Sequence, residues 1–282
     1  MADDAKTFRA ACVQMRSGLD RAKNTVDAIA LIEQAAAGGA QFIQTPEMTN
    51  VVDRKGSRLL GDLPDEDGME EIGAFSDCAK RLGVWLLIGS LAVRAPSGKA
   101  ANRSYFFAPD GATITTYDKI HMFDVDLPGG ESWKESKIYE PGADARLVKT
   151  PLSAFGLSIC YDIRFPGLYR TLAQAGAEIL CVPAAFTRQT GKAHWKTLLT
   201  ARAIETGSFV IAAAQGGDHE DGRETWGHSL IVDPWGEILA EAENDEPGVI
   251  FADISPKTAH TARQRIPNLS LEQNFKVSTI SV

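Results

Sequence analysis

GAQFIQTPE at residues 39–47 and GAEILCVPA at 176–184 are one phrase written twice, and the order of elements around each copy decides the fold. Before the first copy lies an apolar run, FRAACVQM (8–15), that reads as a buried strand. A helical pattern follows over 22–37, with Val26, Ile29, Ala30 and Glu33 at helical spacing and Gly38-Gly39 as its stop. After the copy, the pattern predicts a helix over 68–81, a strand over 84–93 and a hairpin over 103–115 turning at Asp110-Gly111. The second half repeats this order. A strand at 155–162 leads to a helix at 166–175, and the second copy of the phrase leads to a helix at 194–205 carrying Trp195, Leu198, Leu199 and Ile204. A strand at 208–215 and a pair at 228–240 close the repeat, with Pro234 and Gly236 falling on Pro109 and Gly111.

Each half thus supplies one sheet and two helices. Covering each sheet with its own helices leaves two bare faces, which are buried by packing together. The expectation is an α/β protein, a four-layer α-β-β-α sandwich with an internal pseudo-two-fold repeat, as a single domain over 1–282. Two doubly wound domains are the rival, but no linker rich in Gly, Ser or Pro separates the halves. The stretch 124–145 reads as a long surface excursion.

Composition narrows the function. The chain has 282 residues, 44% hydrophobic and 23% charged, with a formal net charge of −8. That balance argues against nucleic acid or an anionic membrane surface as a partner. MADDAKTFRA does not read as a secretory signal, and no apolar run approaches the roughly 20 residues that span a bilayer. The four cysteines, Cys12, Cys78, Cys160 and Cys181, are widely spaced, which suggests neither a zinc site nor a disulfide framework. A cytoplasmic protein with free thiols is expected.

Three polar residues sit at strand ends, where ligands gather in α/β sheets. Glu47 closes the first copy of the phrase, Lys119 follows the hairpin in TYDKIHMFD, and Cys160 ends the apolar run of GLSICYDIRFP (156–166). A carboxylate, an ammonium and a thiol suit a nucleophile with its base and electrostatic support. Singly, each has an ordinary reading: a cap, a surface lysine, a small core residue. Cys12, Cys78 and Cys181 have no polar company and read as packing. A helix starting near Pro166 would favour a thiolate if its N-terminus faced the sulfur. Asp162 and Arg164 read as a buried ion pair supporting the turn, in preference to contacts with substrate.

Together, PE (46–47), YDKIHMFD (117–124) and GLSICYDIRFP resemble the nitrilase, or carbon-nitrogen hydrolase, superfamily, over Phe8 to about Phe275. The resemblance implies the same sandwich fold and a Glu-Lys-Cys triad, Glu47, Lys119 and Cys160. It also implies a second glutamate after the lysine. KESKIYEPG (134–142) matches that motif and assigns the role to Glu135, with Glu131 and Glu140 off the motif. In the implied chemistry Glu47 is the general base and Cys160 the nucleophile. Lys119 and the Tyr161 N–H meet the oxyanion, Glu135 orients Lys119 or the amide, and a thioester is hydrolysed after ammonia leaves. No metal and no organic cofactor are called for.

The segment 185–217, GHSLIVDPWGE after it and RQRIP (263–267) look most like the Nit branch. That branch holds deaminated-glutathione amidases, the nearer likeness, and omega-amidases acting on 2-oxoglutaramate-like amides. Lys192 and Lys196 depart from its usual pattern. A small carboxylate-bearing amide needs a cation, for which Arg188, His121 and Lys192 are candidates, with Phe186, Phe123 and Trp226 as walls. An N-carbamoyl-amine hydrolase is an alternative activity and nitrile hydrolysis a more distant one. A non-enzymatic scaffold is the other class, against which the intact triad argues. The resemblance also implies a homodimer or higher homo-oligomer built through the helices near 166–175 and 194–205, and the tail 268–282, long and apolar at its end, is expected to cross to the partner.

Overall fold

The computed structural model describes residues 6–127, 130 and 132–282. In the first half, β1 (Phe8–Gln14) leads into α1 (Arg21–Ala37), then β2 (Phe42–Gln44), the short α2 (Gly56–Asp62) and α3 (Glu70–Leu82). β3 (Trp85–Arg94), β4 (Ala100–Phe107) and β5 (Thr113–Asp118) follow. The excursion carries a hairpin of β6 (Asp124–Asp126) and β7 (Ser132–Lys134), a 3-10 turn at Glu135–Lys137 and β8 (Tyr139–Glu140). The second half runs β9 (Leu147–Lys149), β10 (Ala154–Leu157), α4 (Pro166–Gln174), β11 (Ile179–Cys181), α5 (Arg188–Thr206) and β12 (Phe209–Ala212). A hairpin of β13 (Gly216–Asp218) and β14 (Glu224–Trp226) precedes β15 (Leu230–Val232), β16 (Ile238–Glu241), β17 (Gly248–Ile254) and α6 (Pro256–Arg265).

The two sheets have matching plans. β1, β2 and β3 are parallel and continue antiparallel through β4 and β5. β10, β11 and β12 are parallel and continue antiparallel through β15 and β16. Two strands extend this repeat beyond the sequence reading. β9 covers the open edge of β10, and β17 returns from the second half to cover β1, pairing from Phe8 with Ile254 to Gln14 with Gly248. An uncovered edge presents unpaired N–H and C=O groups, so both outer strands protect the inner ones.

The period-2 alternation of the strands builds the layers. From β1, Ala10 and Cys12 join the core between the sheets, and Ala11 and Val13 face the helices. The rings of Phe42 and Phe155 stack across the sheet interface at 4.6 Å, with Phe106 at 5.6 Å from Phe155. α1 packs with α3 outside one sheet, and α4 with α5 outside the other. The result is the α-β-β-α sandwich. Among the described residues no helix is long and apolar enough to cross a membrane.

Helix details differ from the periodicity. α1 buries Ala28, Ile32 and Ala35 with Asn24 and Thr25, whereas Val26 is 66% exposed. Alanines against a sheet allow close approach, so the buried stripe is set by small residues instead of the larger Val26. α5 begins at Arg188, six residues before the expected start, because Thr187 caps it by accepting from the Thr190 N–H. Its polar first turn conceals the helix from a hydrophobic pattern.

The two copies of the repeated phrase pair over only three residues each. Both then leave the sheet at a proline, Pro46 or Pro183, which has no N–H for a ladder. Gly89 in β3 lies beneath both turns. A Cβ on it would stand 2.1 Å from Thr45 O, 2.5 Å from Pro46 O and 2.5 Å from Pro183 Cβ. The β3–β4 register shifts between Ile88 and Leu91 at this point. Only a glycine lets the turns of the two halves meet. Gly89→Ala should therefore lower unfolding free energy in urea by about 2–4 kcal/mol. Gly73→Ala on α3, with open space around it, should change it by about 0.5–1 kcal/mol at most, in the stabilising direction.

Candidate active site

The first copy's turn delivers Glu47. Its carboxylate is buried, with Oε1 accepting from Asn102 Nδ2 at 2.8 Å and Lys119 Nζ at 2.9 Å, and Oε2 accepting from the Ala185 N–H at 2.8 Å. Ala185 follows the second copy, so the two repeats are joined through this carboxylate. Lys119 comes one residue after β5. Its backbone is tied on both sides, donating from N to Asn102 O at 2.9 Å and accepting at O from the Gly142 N–H at 2.8 Å.

Glu135 comes from the excursion. Both its oxygens lie 2.9 Å from Lys119 Nζ, and Oε2 also accepts the Phe123 N–H at 2.6 Å. An ammonium has three donors; the two oxygens of one carboxylate lie too close together to take two of them separately, so Glu135 and Glu47 engage one each and a third is left for another acceptor. Of the off-motif glutamates, Glu140 pairs along β8 outside the cavity lining, and Glu131 lies outside the described residues.

Cys160 occupies a sharp turn. β10 ends at Leu157, and Cys160 opens a 3-10 turn (Cys160–Arg164) with φ +49, in the left-handed region. A non-glycine residue there costs about 1–3 kcal/mol and persists only if its surroundings dictate it. Here Asp162 does so. Its carboxylate accepts from Tyr117 Oη at 2.6 Å, Ile159 N at 2.8 Å and His121 N at 3.0 Å, with His121 Nδ1 at 2.7 Å. The Cys160 N–H donates to Pro183 O at 2.8 Å, anchoring the turn on the second copy of the phrase. Tyr161 is the second residue of the 3-10 turn, where a backbone N–H has no acceptor within the turn. The expected α-helix starts only at Pro166, so the short turn lies between it and Cys160.

The charges set the protonation states. Burial opposes ionisation of Glu47, but the Lys119 ammonium, the Cys160 thiol and Asn102 more than offset it and hold its carboxyl below the usual range. Burial and the Glu47 carboxylate push the Cys160 thiol well up, against the opposing pull of Lys119. Burial would neutralise Lys119, but Glu135 and Glu47 keep it charged and raise it well above an ordinary lysine. The resting site therefore holds a neutral thiol beside a carboxylate and an ammonium.

These groups form part of the lining of a cavity of about 600 Å3, which also includes Phe123, Trp133, Tyr139, Tyr161, Arg164, Phe186, Arg54 and Arg223. Phe186 lies where the sequence reading expects it. Arg188 does not line the cavity; its guanidinium is committed to Asp218, Glu224 and Asp245 at 2.9–3.1 Å. His121 is also outside, held by Asp162 and stacked on Phe165 with ring centroids 3.5 Å apart. Lys192 is exposed on α5, and Trp226 stacks on His228 away from the lining.

The expected Asp162–Arg164 ion pair is absent among the described residues. Asp162 turns inward to the peptide groups of the elbow, and Arg164 turns into the cavity, 5.9 Å from the Tyr161 ring centroid and 5.5 Å from that of Phe186. Asn102 was missed by the sequence reading. Its signal is a fully buried amide within the otherwise largely apolar strand AANRSYFF. Among the described residues no cluster of three or more His, Cys, Asp or Glu side chains is arranged to hold a metal ion.

The family profile described as carbon-nitrogen hydrolase matches residues 9–264. The chain belongs to that family. It is 40% identical over 268 residues to the deaminated glutathione amidase of Synechocystis sp., covering 94% of this chain and 97% of that one. It is 35% identical over 268 residues to omega-amidase NIT2 of Bos taurus, covering 95% and 96%. Among solved structures, the C. elegans NitFhit protein superposes with a TM-score of 0.89 at 35% identity, covering 97% of this chain and 66% of that one. Saccharomyces cerevisiae Nit3, of the nitrilase superfamily, superposes at 0.83 with 28% identity, covering 93% and 95%. This carbon-nitrogen hydrolase thus acts on carbon–nitrogen bonds in amides.

Proposed function

We propose that the chain hydrolyses small linear amides bearing a carboxylate, through a thioester on Cys160. The observation that carries this reading is the convergence of Cys160, Glu47 and Lys119 on one cavity, with Lys119 locked between Glu47 and Glu135. As Cys160 Sγ attacks the carbonyl carbon, its proton passes to Glu47. The oxyanion meets the Lys119 ammonium and the Tyr161 N–H, a type of donor worth about 3–4 kcal/mol each. Glu135 is a positioning residue, holding Lys119 through two contacts. Glu47 returns the proton to nitrogen as the carbon–nitrogen bond breaks, then takes one from the water that cleaves the thioester and passes it to the departing Cys160 sulfur, which restores the resting site. The sum is amide plus water to carboxylate plus protonated amine, or ammonium from a primary amide.

Arg164 is the cation we assign to the substrate carboxylate on the acyl side, since it borders the cavity beside Tyr161 and Phe186. The similarity to a deaminated glutathione amidase and to omega-amidases supports that substrate class, with the former as first choice. Four cysteines without a disulfide support a reducing, cytoplasmic setting. We read 1–282 as one catalytic domain and infer a homodimer. The exposed Phe275, Val277 and Ile280 of the 268–282 tail support a partner subunit as its cover.

Cys160→Ala should fold normally and lose turnover, whereas Cys181→Ala keeps it. With the wild type, hydroxylamine should divert the acyl group to a hydroxamate; none from any hydrolysed amide would rule out the thioester. The pH profile follows from Glu47. It must be ionised to accept the proton, and its carboxyl is held below the ordinary 4.5. Activity should therefore persist as pH falls through 4.5 and decline only below it; an acid limb above that value in the folded enzyme contradicts the assignment. Light scattering should give twice 30.4 kDa or more, and a 30.4 kDa species would exclude the dimer.

A further inference from the structure

Resting on the assignment of Glu47 as general base, we propose that Gln215 is a positioning residue for that base. It sets the distance between the Glu47 carboxylate and the Ala185 N–H that the carboxylate accepts.

Gln215 lies between β12 and β13 and is fully buried. Its side-chain amide faces the turn that delivers Glu47. Nε2 lies 3.1 Å from Glu47 O, 3.1 Å from Met48 O and 2.8 Å from Ser17 Oγ, and Oε1 accepts the Ser17 N–H at 3.0 Å. An amide nitrogen has two hydrogens. One serves Ser17, and the two equidistant carbonyls share the other. The reverse orientation would set the amide oxygen against both carbonyls, so the network fixes which way the amide points.

The turn needs such a holder. Met48 has φ +56, in the left-handed region, where a non-glycine residue is strained. Ser90 holds its N–H side, with Oγ accepting the Met48 N–H at 2.9 Å. Gln215 holds the carbonyl side and, among the described residues, is the donor to Glu47 O.

The backbone of Gln215 reaches the other half of the contact. Its N–H donates to Ala184 O at 2.8 Å, and its carbonyl accepts the Gly227 N–H at 2.9 Å. Ala184 directly precedes Ala185, whose N–H meets Glu47 Oε2 at 2.8 Å. One residue thus grips the base through its side chain and the base's hydrogen-bond donor through its main chain. A base must stay within hydrogen-bond reach of the proton it takes, and a displacement of about 1 Å costs on the order of 100-fold in rate. Gln44 provides the contrast. It is an equally buried glutamine, but its Nε2 donates to Ile211 O at 3.2 Å and its Oε1 has no partner, so it hydrogen-bonds to neither turn.

The test compares Gln215→Met, Gln44→Met and Glu47→Gln with the wild type on a panel of short ω-amides. Methionine keeps the length of glutamine and removes its hydrogen bonds. Gln215→Met should fold, lower kcat by roughly 10- to 100-fold and leave KM within about two-fold, because no group lining the cavity is changed. Its acid limb should also move to higher pH. A weakened Ala185 N–H contact disfavours the charged carboxylate, whereas the ionisable groups around Glu47, namely Lys119, Cys160, Glu135 and Tyr139, are unchanged. Gln44→Met should keep kcat within about two-fold. A folded Gln215→Met with normal kcat, or one whose loss lies in KM with the acid limb unmoved, overturns the proposal. So does an equal loss of kcat in Gln44→Met. If Gln215→Met does not fold, Gln215→Asn, whose amide is drawn back by one methylene, is read in the same way. Glu47→Gln separates this proposal from the reading beneath it: full turnover by that variant, or none by the wild type on any amide, refutes the base assignment itself.

Discussion

The buried ammonium of Lys119 is the constraint on which the rest of the molecule depends. A charge this far from water is tolerated only when paired and hydrogen-bonded. Its two partners come from distant parts of the chain, Glu47 from the end of β2 and Glu135 from the excursion after β5. Asn102 in β4 binds Glu47 at 2.8 Å and reaches Glu135 at 3.4 Å. Neutralising one lysine therefore fixes the positions of a strand end, a loop and a neighbouring strand. It also leaves one excess negative charge, and that excess helps keep the nearby thiol protonated.

Neutrality of the thiol is compatible with the proposed chemistry because the base is already in place. A resting thiolate beside two carboxylates would be repelled. A proton that moves only as the sulfur attacks avoids that cost, and the ammonium then faces the newly formed oxyanion. The strained backbone of Cys160 serves the same end. Asp162 holds the turn from below through Tyr117, Ile159 and His121, so the sulfur is presented without relying on the substrate to order it. His121 and Asp162 thus support the proposed nucleophile from behind, and Arg164 is released to face the cavity.

The internal repeat explains how these parts meet. Equivalent turns, at Pro46 and Pro183, approach each other over Gly89. One carries Glu47; the other offers its carbonyl to the Cys160 N–H and the Ala185 N–H to Glu47. A duplicated scaffold has been given different side chains at matching places, so that the proposed base and nucleophile face each other across the sheet interface. The excursion from β6 to β8 is the part with no counterpart in the repeat, and it supplies Glu135 and Trp133.

Much of this was legible in the chain itself. Repeated elements, glycine stops and period-2 apolar runs determined two similar sheets with their helices, because burying one face of each leaves few alternatives. Glu47, Lys119 and Cys160 stood out as polar residues ending apolar strands, and the three motifs around them carried the family and Glu135. Tertiary structure decided what local pattern does not encode. Arg188 looks like a free cation until three carboxylates from remote segments enclose it, and Arg164 looks paired with Asp162 until their side chains diverge at a tight turn. Strands β9 and β17 gained their roles from the edges they cover, and Asn102 from the two glutamates that folding brought to it. Charge partners separated by tens to hundreds of residues are a property of packing, and only the folded chain determines which charges remain available to a substrate.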